Sequence, residues 1–428
     1  MKSKSNLFKT FITGLLLSGL FVFNACEKEK IFPFSYDNTT EELYSIMDKY
    51  YYWVDSIGGF EPGNYASPDE LLEAMRYNPR DRWSYITTKE ENEQYYEEGT
   101  FVGYGFGYAP DENGKIRITY LYADSDMAGL GITRGWIINK INGNAIDDNS
   151  NISSLLGATQ IGVSNTFEFE SPSGEVITQT LSKKLVSINT VIYKDVFVSG
   201  SKKAGYMVFE SFIGPSEEEL NIAFNYFKSQ NVNELVIDLR YNGGGMIDIV
   251  EHLAGYIIPD DLDNKKFLTY KHNEKNSNIN ESIYFNQHPN SLRLNKVYFI
   301  AGKGSASASE AIINGLDPYI DVYIVGDDTY GKPVGMYSFN SRISDLVYVP
   351  ICFSLVNAND YGNYFNGLTA DSYVTDDVYH NFGIEEAVFA EAMYHITYGS
   401  FSSAKSAGTI YRAPVKEIRS IADERGSI

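Results

Sequence analysis

The sequence is poor in the residues that build metal centres and disulfide frameworks. Its 428 residues include two cysteines, Cys26 and Cys352, and five histidines. Two cysteines allow one bridge at most, so a disulfide framework is excluded. The sequence has neither a His-Glu-x-x-His motif nor a Cys/His cluster with metal-ligand spacing, and we therefore expect no catalytic transition metal.

Motifs for nucleotide binding and for the commonest hydrolase triads are missing as well. The sequence contains no Gly-x-x-x-x-Gly-Lys-Ser/Thr loop and no Gly-x-Ser-x-Gly elbow, which argues against a P-loop and against an α/β-hydrolase triad. The formal net charge is −21, and clustered basic patches are absent. So acidic a chain argues against nucleic acid as a partner and against electrostatic adhesion to anionic lipid.

The N-terminus combines a basic start with a short apolar run. Residues 1–25 carry three lysines and no acid, and residues 11–23 are almost entirely apolar. The run is too short for a comfortable membrane span and predicts an export signal. It resembles a bacterial lipoprotein signal, which implies acylation of Cys26 and a tether over residues 26–39. An ordinary cleaved signal followed by an incidental cysteine is the alternative.

The rest of the chain falls into three patterns. Residues 40–98 have helical periodicity and predict a small helical module. Short β runs separated by Gly, Asn and Pro fill residues 99–186. Over residues 187–393 buried strands alternate with helices, which predicts an α/β layer with a parallel sheet, interrupted by a polar insertion at 260–291. The tail, residues 394–428, receives no assignment.

Two turns of the α/β part are built from small residues, "DLRYNGGG" and "GSASASE". A serine at a helix start can act as a nucleophile, because the helix N-terminus favours developing negative charge and offers backbone N–H groups. A lysine with a lowered pKa can then be the base, and Lys332 in "TYGKPVG" lies among neutral residues. From these residues alone another interpretation stays open: Ser307 and Glu310 also match a capping box, and Lys332 can simply be solvated.

The order of these motifs resembles that of the C-terminal processing (tail-specific) serine peptidases, from about Glu41 to Asp377. The resemblance implies a multidomain α/β protein whose peptidase domain is ClpP/crotonase-like. It also implies that Ser307 is the nucleophile and that Lys332, 25 positions later, is the general base. The backbone N–H groups of Ala308 and Gly244 would form the oxyanion hole, with the glycine register open by one position. Asp238, Arg240, Asn242 and Glu310 are expected to be structural.

Residues 99–186 resemble a PDZ domain. The "GYGF" stretch, Gly103, Tyr104, Gly105 and Phe106, lies where that family has its carboxylate-binding loop, and "SDMAGLGITRGWIINKINGNAI" matches a second characteristic stretch. The resemblance implies that this module binds the C-terminus of a polypeptide, with the peptide pairing to a strand edge.

The resemblance thus implies a serine endopeptidase of a bacterial cell envelope, lipid-anchored and periplasmic or surface-facing. It would cleave polypeptides with accessible C-termini and need no metal, nucleotide or other cofactor. Two positions depart from the family pattern: Met336 stands where some members have a glutamine that orients the lysine, and Ala370 replaces a proline. These departures keep open the alternative of a catalytically weak or inactive PDZ-based peptide-binding protein.

Overall fold

The computed structural model describes residues 38–78 and 80–402. The predicted signal peptide, Cys26, most of the tether and residues 403–428 of the tail lie outside the described residues. The boundary that we placed after residue 393 falls within the last described helix.

The N-terminal segment contains the three predicted helices. Each begins at a polar cap, because the side chains of Asn38, Ser67 and Thr88 accept the N–H of the residue three positions later. Its elements are α1 (Thr39–Tyr50), α2 (Pro68–Met75), β1 (Tyr85–Thr88) and α3 (Lys89–Tyr96).

The strand β1 is a correction to the prediction of a purely helical module. It pairs antiparallel with Leu346–Val349 near the other end of the chain. There the buried Tyr85 packs against Val347 and Val349. Sequence periodicity reports only local structure, so it cannot reveal a strand partner so far along the sequence. The N-terminal segment is therefore joined to the C-terminal part through a shared sheet.

The β-rich segment forms one larger sheet and one two-stranded ribbon. The strands of the larger sheet run in the order β3-β4-β5-β7-β8, with β6 paired to β5, while β2 pairs with β9. Strand β3 therefore lies at an edge, directly after the "GYGF" turn. The elements are β2 (Thr100–Gly103), β3 (Phe106–Pro110), β4 (Ile116–Leu121), α4 (Asp126–Gly129), β5 (Ile137–Ile141), β6 (Asn144–Ala145), α5 (Ile152–Leu156), β7 (Ser164–Glu170), β8 (Val176–Ser182) and β9 (Lys184–Ser187).

The C-terminal part is the predicted α/β layer. Its central sheet has the order β10-β11-β12-β15-β16-β21, in which β10 is antiparallel to β11 and the following pairs are parallel. The elements are β10 (Val191–Ser199), β11 (Lys202–Phe209), α6 (Ser216–Ser229), β12 (Glu234–Asp238), α7 (Ile247–Ile257), β13 (Lys266–His272), β14 (Glu281–Tyr284), β15 (Lys296–Ala301), α8 (Ala308–Leu316), β16 (Asp321–Gly326), β17 (Val334–Met336), β18 (Phe339–Asn340), β19 (Leu346–Val349), β20 (Ile351–Asn357), β21 (Ser372–Tyr373) and α9 (Ala387–Tyr398).

The stretch 260–291, interpreted from sequence as a polar insertion, contains two strands of a second sheet. Strands β13 and β14 pair antiparallel, and β13 also pairs with β20, giving the order β14-β13-β20-β17. Strand β14 is an edge strand with no fully buried residue, which explains why its sequence looks like a loop, whereas β13 contains the buried Phe267 and Leu268 between polar residues. Two further strands, β18 and β19, complete a small sheet with β1.

A buried ionic network joins the β-rich segment to the α/β part. Arg134 donates to the Tyr241 hydroxyl at 2.6 Å and to Asp376 at 2.9 Å, while Arg240 donates to Asp376 at 2.7 Å and to Glu386 at 2.8 Å. Burial acts to raise the pKa of Asp376, but the two guanidinium groups hold it below its usual value. Because removing one partner of such a network leaves a buried charge unmatched, the network fixes how the two segments meet.

No helix within residues 38–78 and 80–402 combines the length and the apolar character needed to cross a bilayer.

Candidate active site

The two small-residue turns meet at the carboxyl ends of adjacent parallel strands. Strand β12 pairs with β15, so the turns that follow them lie side by side, as at the ligand-binding edge of other parallel sheets. The carbonyl oxygen of Asn242 in the first turn accepts the Ala306 N–H at 3.2 Å and the Ser309 hydroxyl at 2.8 Å from the second.

The three serines of "GSASASE" have different environments. Ser305 donates its hydroxyl to the Leu239 carbonyl at 2.7 Å, and Ser309 donates to the Asn242 carbonyl. Both side chains are fully buried and serve to join the two turns. Ser307, by contrast, is only half-buried. Of the three, Ser307 is the serine that solvent or a substrate can reach.

Ser307 has an unusual backbone conformation. Its φ of 57° and ψ of −111° lie outside the regions that L-residues normally adopt and cost on the order of 1–3 kcal/mol. It is the N-cap residue of α8, and its backbone N–H donates to the Glu310 side chain at 3.0 Å, which is one of the two bonds of a capping box. Ala308 is the first residue of that helix, where backbone N–H groups have no acceptor within the helix.

The Glu310 carboxylate connects the turn of the serine with the loop of the lysine. One oxygen, Oε2, accepts the backbone N–H of Ser307 at 3.0 Å and that of Lys332 at 2.7 Å. The other, Oε1, accepts the Thr329 hydroxyl at 2.5 Å and the Gly331 N–H at 2.7 Å. Burial raises the pKa of Glu310, and these four donors oppose that shift. The expected structural role of Glu310 is therefore specific, since it brings the two candidate catalytic residues together.

Lys332 has the environment that a lysine base requires. It lies in the loop between β16 and β17 and is 2% exposed. Burial lowers its pKa to about 8, and the positive charge of Arg82 acts in the same direction, while Asp81 and Glu310 oppose the shift. At this pKa a useful fraction of the amine is neutral near physiological pH, as general-base catalysis needs.

Gly244 packs directly against the serine. A Cβ at this position would lie 2.8 Å from Ser307 Cβ and 3.0 Å from the Ala308 nitrogen, and its φ of +113° suits glycine. The predicted oxyanion donors, Gly244 and Ala308, are thus neighbours. The Gly244 N–H, however, donates to the Asn242 side-chain oxygen at 2.9 Å, so in this state the Asn242 carboxamide occupies that donor.

The structure shows the contacts of Met336 and Ala370, the two positions that depart from the family pattern. Met336 belongs to β17 and packs against the apolar cluster that contains Tyr85. Ala370 donates its N–H to Asp328 at 3.1 Å, a bond that proline could not form. The segment that carries Ala370 also bonds the lysine loop, because the Leu368 N–H donates to the Thr329 hydroxyl at 2.7 Å.

The four residues of the predicted carboxylate-binding loop lie in the β-rich segment, separate from the serine and lysine turns. Gly103 ends β2, Phe106 begins β3, and Gly105 between them has a φ of +76°. The Tyr104 side chain is buried, and its hydroxyl accepts a hydrogen bond from Asn165. The loop is thus a turn whose backbone leads into an edge strand.

Sequence reasoning missed one group at the site, the loop that precedes β1. Its Trp83 ring lies 5.9 Å from Lys332 Nζ, although "DRWSY" matches no motif that we considered. The only signal was indirect: a charged pair next to a tryptophan in an otherwise helical stretch.

Comparison with known proteins identifies the family. The model for "Peptidase family S41" matches residues 203–373, and that for "Peptidase S41 N-terminal domain" matches residues 38–85, together just over half of the chain. A relative in Staphylococcus aureus (strain bovine RF122 / ET3-1), named "Probable CtpA-like serine protease", is 24% identical over 302 residues, and a Staphylococcus epidermidis relative of the same name is 24% identical over 299.

These alignments cover 69% of this chain and 56% of each relative, so the chain spans little more than half the length of the relatives it matches. The fold is also that of a crystal structure from Bacteroides fragilis NCTC 9343 assigned to the S41 proteases. That structure aligns with a TM-score of 0.68 and 22% identity over 86% of this chain and 99% of its own. The chain belongs to peptidase family S41.

Proposed function

We propose that the protein is a serine endopeptidase in which Ser307 is the nucleophile and Lys332 the general base. The observation that carries this proposal is the shared Glu310 oxygen. Both backbone nitrogens donate to Glu310 Oε2, at 3.0 and 2.7 Å, so they are within about 6 Å of each other. This supports a dyad of a half-buried serine and a buried lysine of lowered pKa on neighbouring loops. The relatives named as serine proteases support the same chemistry.

In the proposed reaction the neutral Lys332 amine removes the Ser307 proton as Oγ attacks the scissile carbonyl carbon. The resulting oxyanion accepts hydrogen bonds from the N–H groups of Ala308 and Gly244, the latter after the Asn242 carboxamide has released it. The Lys332 ammonium then protonates the leaving amine as the peptide C–N bond breaks. Water, deprotonated by Lys332, hydrolyses the acyl-enzyme and restores the serine.

We further propose that residues 99–186 act as a PDZ-type module that captures the substrate's C-terminus. Strand β3 is an edge strand beside the "GYGF" turn, so an extended peptide can pair with it. Phe106 on β3 and Leu155 and Leu156 on α5 are half-buried around the module's core. This surface favours an apolar C-terminal residue. An exported, lipid-anchored location in the cell envelope belongs to the same proposal.

A fluorophosphonate serine probe tests the catalytic assignment. We expect the purified protein to be labelled, Ser307→Ala to show no labelling and Lys332→Ala to react at least about 100-fold more slowly, as expected for loss of a general base. Ser400→Ala is a control at a serine near the end of the described chain and keeps wild-type labelling. Equal labelling of Ser307→Ala would refute the assignment.

Peptides with a free or an amidated C-terminus test the capture step. We expect a peptide that ends in an apolar residue to bind only with its free carboxylate. Leu156→Lys should weaken that binding at least about tenfold, because it places a charge in an apolar surface. Ile161→Lys, at a position 63% exposed in the same module, should leave it unchanged. Equal binding of the amidated peptide would contradict carboxylate capture.

One observation favours a second candidate, a peptide-binding protein without activity. The Gly244 N–H is already bonded to Asn242, so the proposed oxyanion hole lacks one donor unless the turn rearranges. If the protein binds C-terminal peptides with a free carboxylate but neither cleaves them nor reacts with the fluorophosphonate, this second function replaces the first.

A further inference from the structure

The loop before β1 places the ring of Trp83 next to Lys332, the candidate base. Trp83 is 2% exposed, and its ring centroid lies 5.9 Å from Lys332 Nζ, within the range of a cation–π contact. The two residues are about 250 positions apart in the chain. Part of the protein that surrounds Lys332 therefore comes from the N-terminal segment.

The loop is held in place by the carboxylate of Asp81. Its Oδ1 accepts the N–H groups of Trp83 and Ser84 at 3.0 Å each, and its Oδ2 accepts the hydroxyls of Tyr51 at 2.7 Å and Ser84 at 2.6 Å. The Ser84 hydroxyl in turn accepts the Ile351 N–H at 3.0 Å. Because each oxygen of this buried carboxylate accepts two hydrogen bonds, Asp81 holds the backbone of Trp83 in place.

Further aromatic and cationic groups surround the ring of Trp83. The Arg82 guanidinium lies 5.1 Å from that ring and 4.6 Å from the ring of Tyr330, two residues before Lys332. The Trp83 and Tyr330 rings are 6.4 Å apart. The tryptophan is thus packed between the lysine loop and the exposed side chain of Arg82.

Packing alone does not account for a tryptophan at this position. Its indole N–H is buried and has no hydrogen-bond partner among the described residues. A buried donor left in this way costs about 1–3 kcal/mol, which a phenylalanine would avoid. The contact with Lys332 is made by the ring of Trp83 and not by its indole N–H.

We propose that Trp83 is a positioning residue for Lys332: its ring closes the base off from water and holds the amine beside Ser307. This inference rests on the proposed function. It assigns the N-terminal segment a part in the active site, since the enclosure of the base is incomplete without the loop at residues 81–84.

The effect on the lysine has a definite sign. The charged and titratable groups around it are Asp81, Arg82 and Glu310, and none of them is removed by a change at Trp83. Burial moves the pKa of Lys332 from 10.5 to about 8, whereas a cation–π contact contributes about 0.5–1 kcal/mol, less than one pKa unit. Loss of the ring therefore raises the lysine's pKa by admitting water.

The test measures the fluorophosphonate reaction of Ser307 against pH in the full chain. We expect Trp83→Ala to move the midpoint upward by about one pH unit or more, with a roughly tenfold slower reaction at pH 7. Trp83→Phe keeps a ring in place and should keep the wild-type midpoint. Trp53→Ala removes the other tryptophan of the N-terminal segment and should also keep it. An unchanged midpoint in Trp83→Ala would overturn the proposal.

A second readout is independent of catalysis. In a Ser307→Ala background, competitive acetylation of Lys332 with acetic anhydride, followed by mass spectrometry, reports the lysine's pKa directly. The same upward shift is expected on adding Trp83→Ala or, if that variant does not fold, Trp83→Leu. A shift here in a protein that never reacts with the probe would sustain the positioning role and refute the peptidase function. If Trp83→Ala leaves the pKa of Lys332 unchanged, while the protein that retains Ser307 reacts with the probe, the positioning role alone is refuted.

Discussion

Ser307 and Lys332 donate their backbone N–H groups to the same oxygen atom of Glu310, at 3.0 and 2.7 Å. The proposed nucleophile and the proposed base are 25 positions apart in the sequence and belong to different loops, and a single buried carboxylate joins the backbones of the two loops. Because Glu310 also lies in the first turn of α8, its negative charge is compatible with the helix N-terminus.

The first prediction concerns Glu310→Gln. A glutamine side chain has one carbonyl oxygen and one NH2 group, so one of the two donor pairs would face a donor instead of an acceptor. We expect fluorophosphonate labelling to slow at least about 100-fold and the free energy of unfolding to fall by about 2–4 kcal/mol, within the range for breaking a buried hydrogen-bonded charge. Labelling kinetics and urea unfolding measure the two effects.

A matched control is Glu219→Gln. Glu219 is a half-buried glutamate of the same part of the chain, and it accepts the Val191 N–H at 2.7 Å. We expect this substitution to lower stability slightly and to leave labelling unchanged. Wild-type labelling in Glu310→Gln would show that the shared oxygen is not needed to align Ser307 and Lys332.

The second prediction is the pH dependence of the reaction. Only the neutral amine can accept the Ser307 proton, and burial lowers the pKa of Lys332 to about 8. The rate of fluorophosphonate labelling should therefore rise tenfold per pH unit below pH 8 and level off above it. Fluorophosphonate labelling reactions that are quenched at set times, between pH 5.5 and about 10, measure the profile. A flat profile, or a midpoint near that of histidine, would assign the base to another group.

The third prediction concerns stability. Below pH 8 Lys332 is charged in the folded and the unfolded state, and the full cost of burying the charge is present. Between pH 8 and 10.5 the folded state has lost the proton while the unfolded state keeps it, so the cost falls by about 1.4 kcal/mol per unit. Lys332→Met should thus stabilise the protein most below pH 8, by up to about 3 kcal/mol.

Urea unfolding of wild type and Lys332→Met at several pH values measures this difference. We expect the gap between the two proteins to shrink steadily as the pH rises from 8 towards 10.5. A gap that does not depend on pH would mean that Lys332 has an ordinary pKa in the folded state.

The local parts of the fold could be read from the sequence, and the long-range parts could not. The helices α6, α7 and α8 and the parallel strands between them follow from periodicity and turn residues. Strand β1 could not be predicted, because its partner, β19, is about 260 residues away and the pairing is decided by tertiary packing. The same holds for β13, whose partner β20 is distant in the sequence, and for β14, an edge strand with no fully buried residue.

The candidate site, like the fold, could be predicted in its local features but not in its long-range contacts. The resemblance to the tail-specific peptidases implied Ser307, and Ser307 is also more exposed than Ser305 and Ser309. No spacing rule could reveal that Glu310 reaches the lysine loop or that Trp83 lies over the amine, because both depend on contacts between segments far apart in the chain. The partner of the Gly244 N–H was likewise out of reach, since it depends on one side-chain rotamer of Asn242.

The fourth prediction tests how closely the glycine turn must approach the serine. In Gly244→Ala the new methyl group would lie 2.8 Å from Ser307 Cβ and 2.9 Å from the Ala306 carbonyl oxygen, so the nucleophile or the turn must shift. We expect fluorophosphonate labelling to fall at least about 100-fold, as misplacement of a reacting group by about 1 Å commonly does. Gly174→Ala is the control, because Gly174 has a φ of +87° but open space around it; it carries the backbone strain without the clash and should label normally. If both variants label normally, the Gly244 turn does not border the reacting serine as the structure indicates.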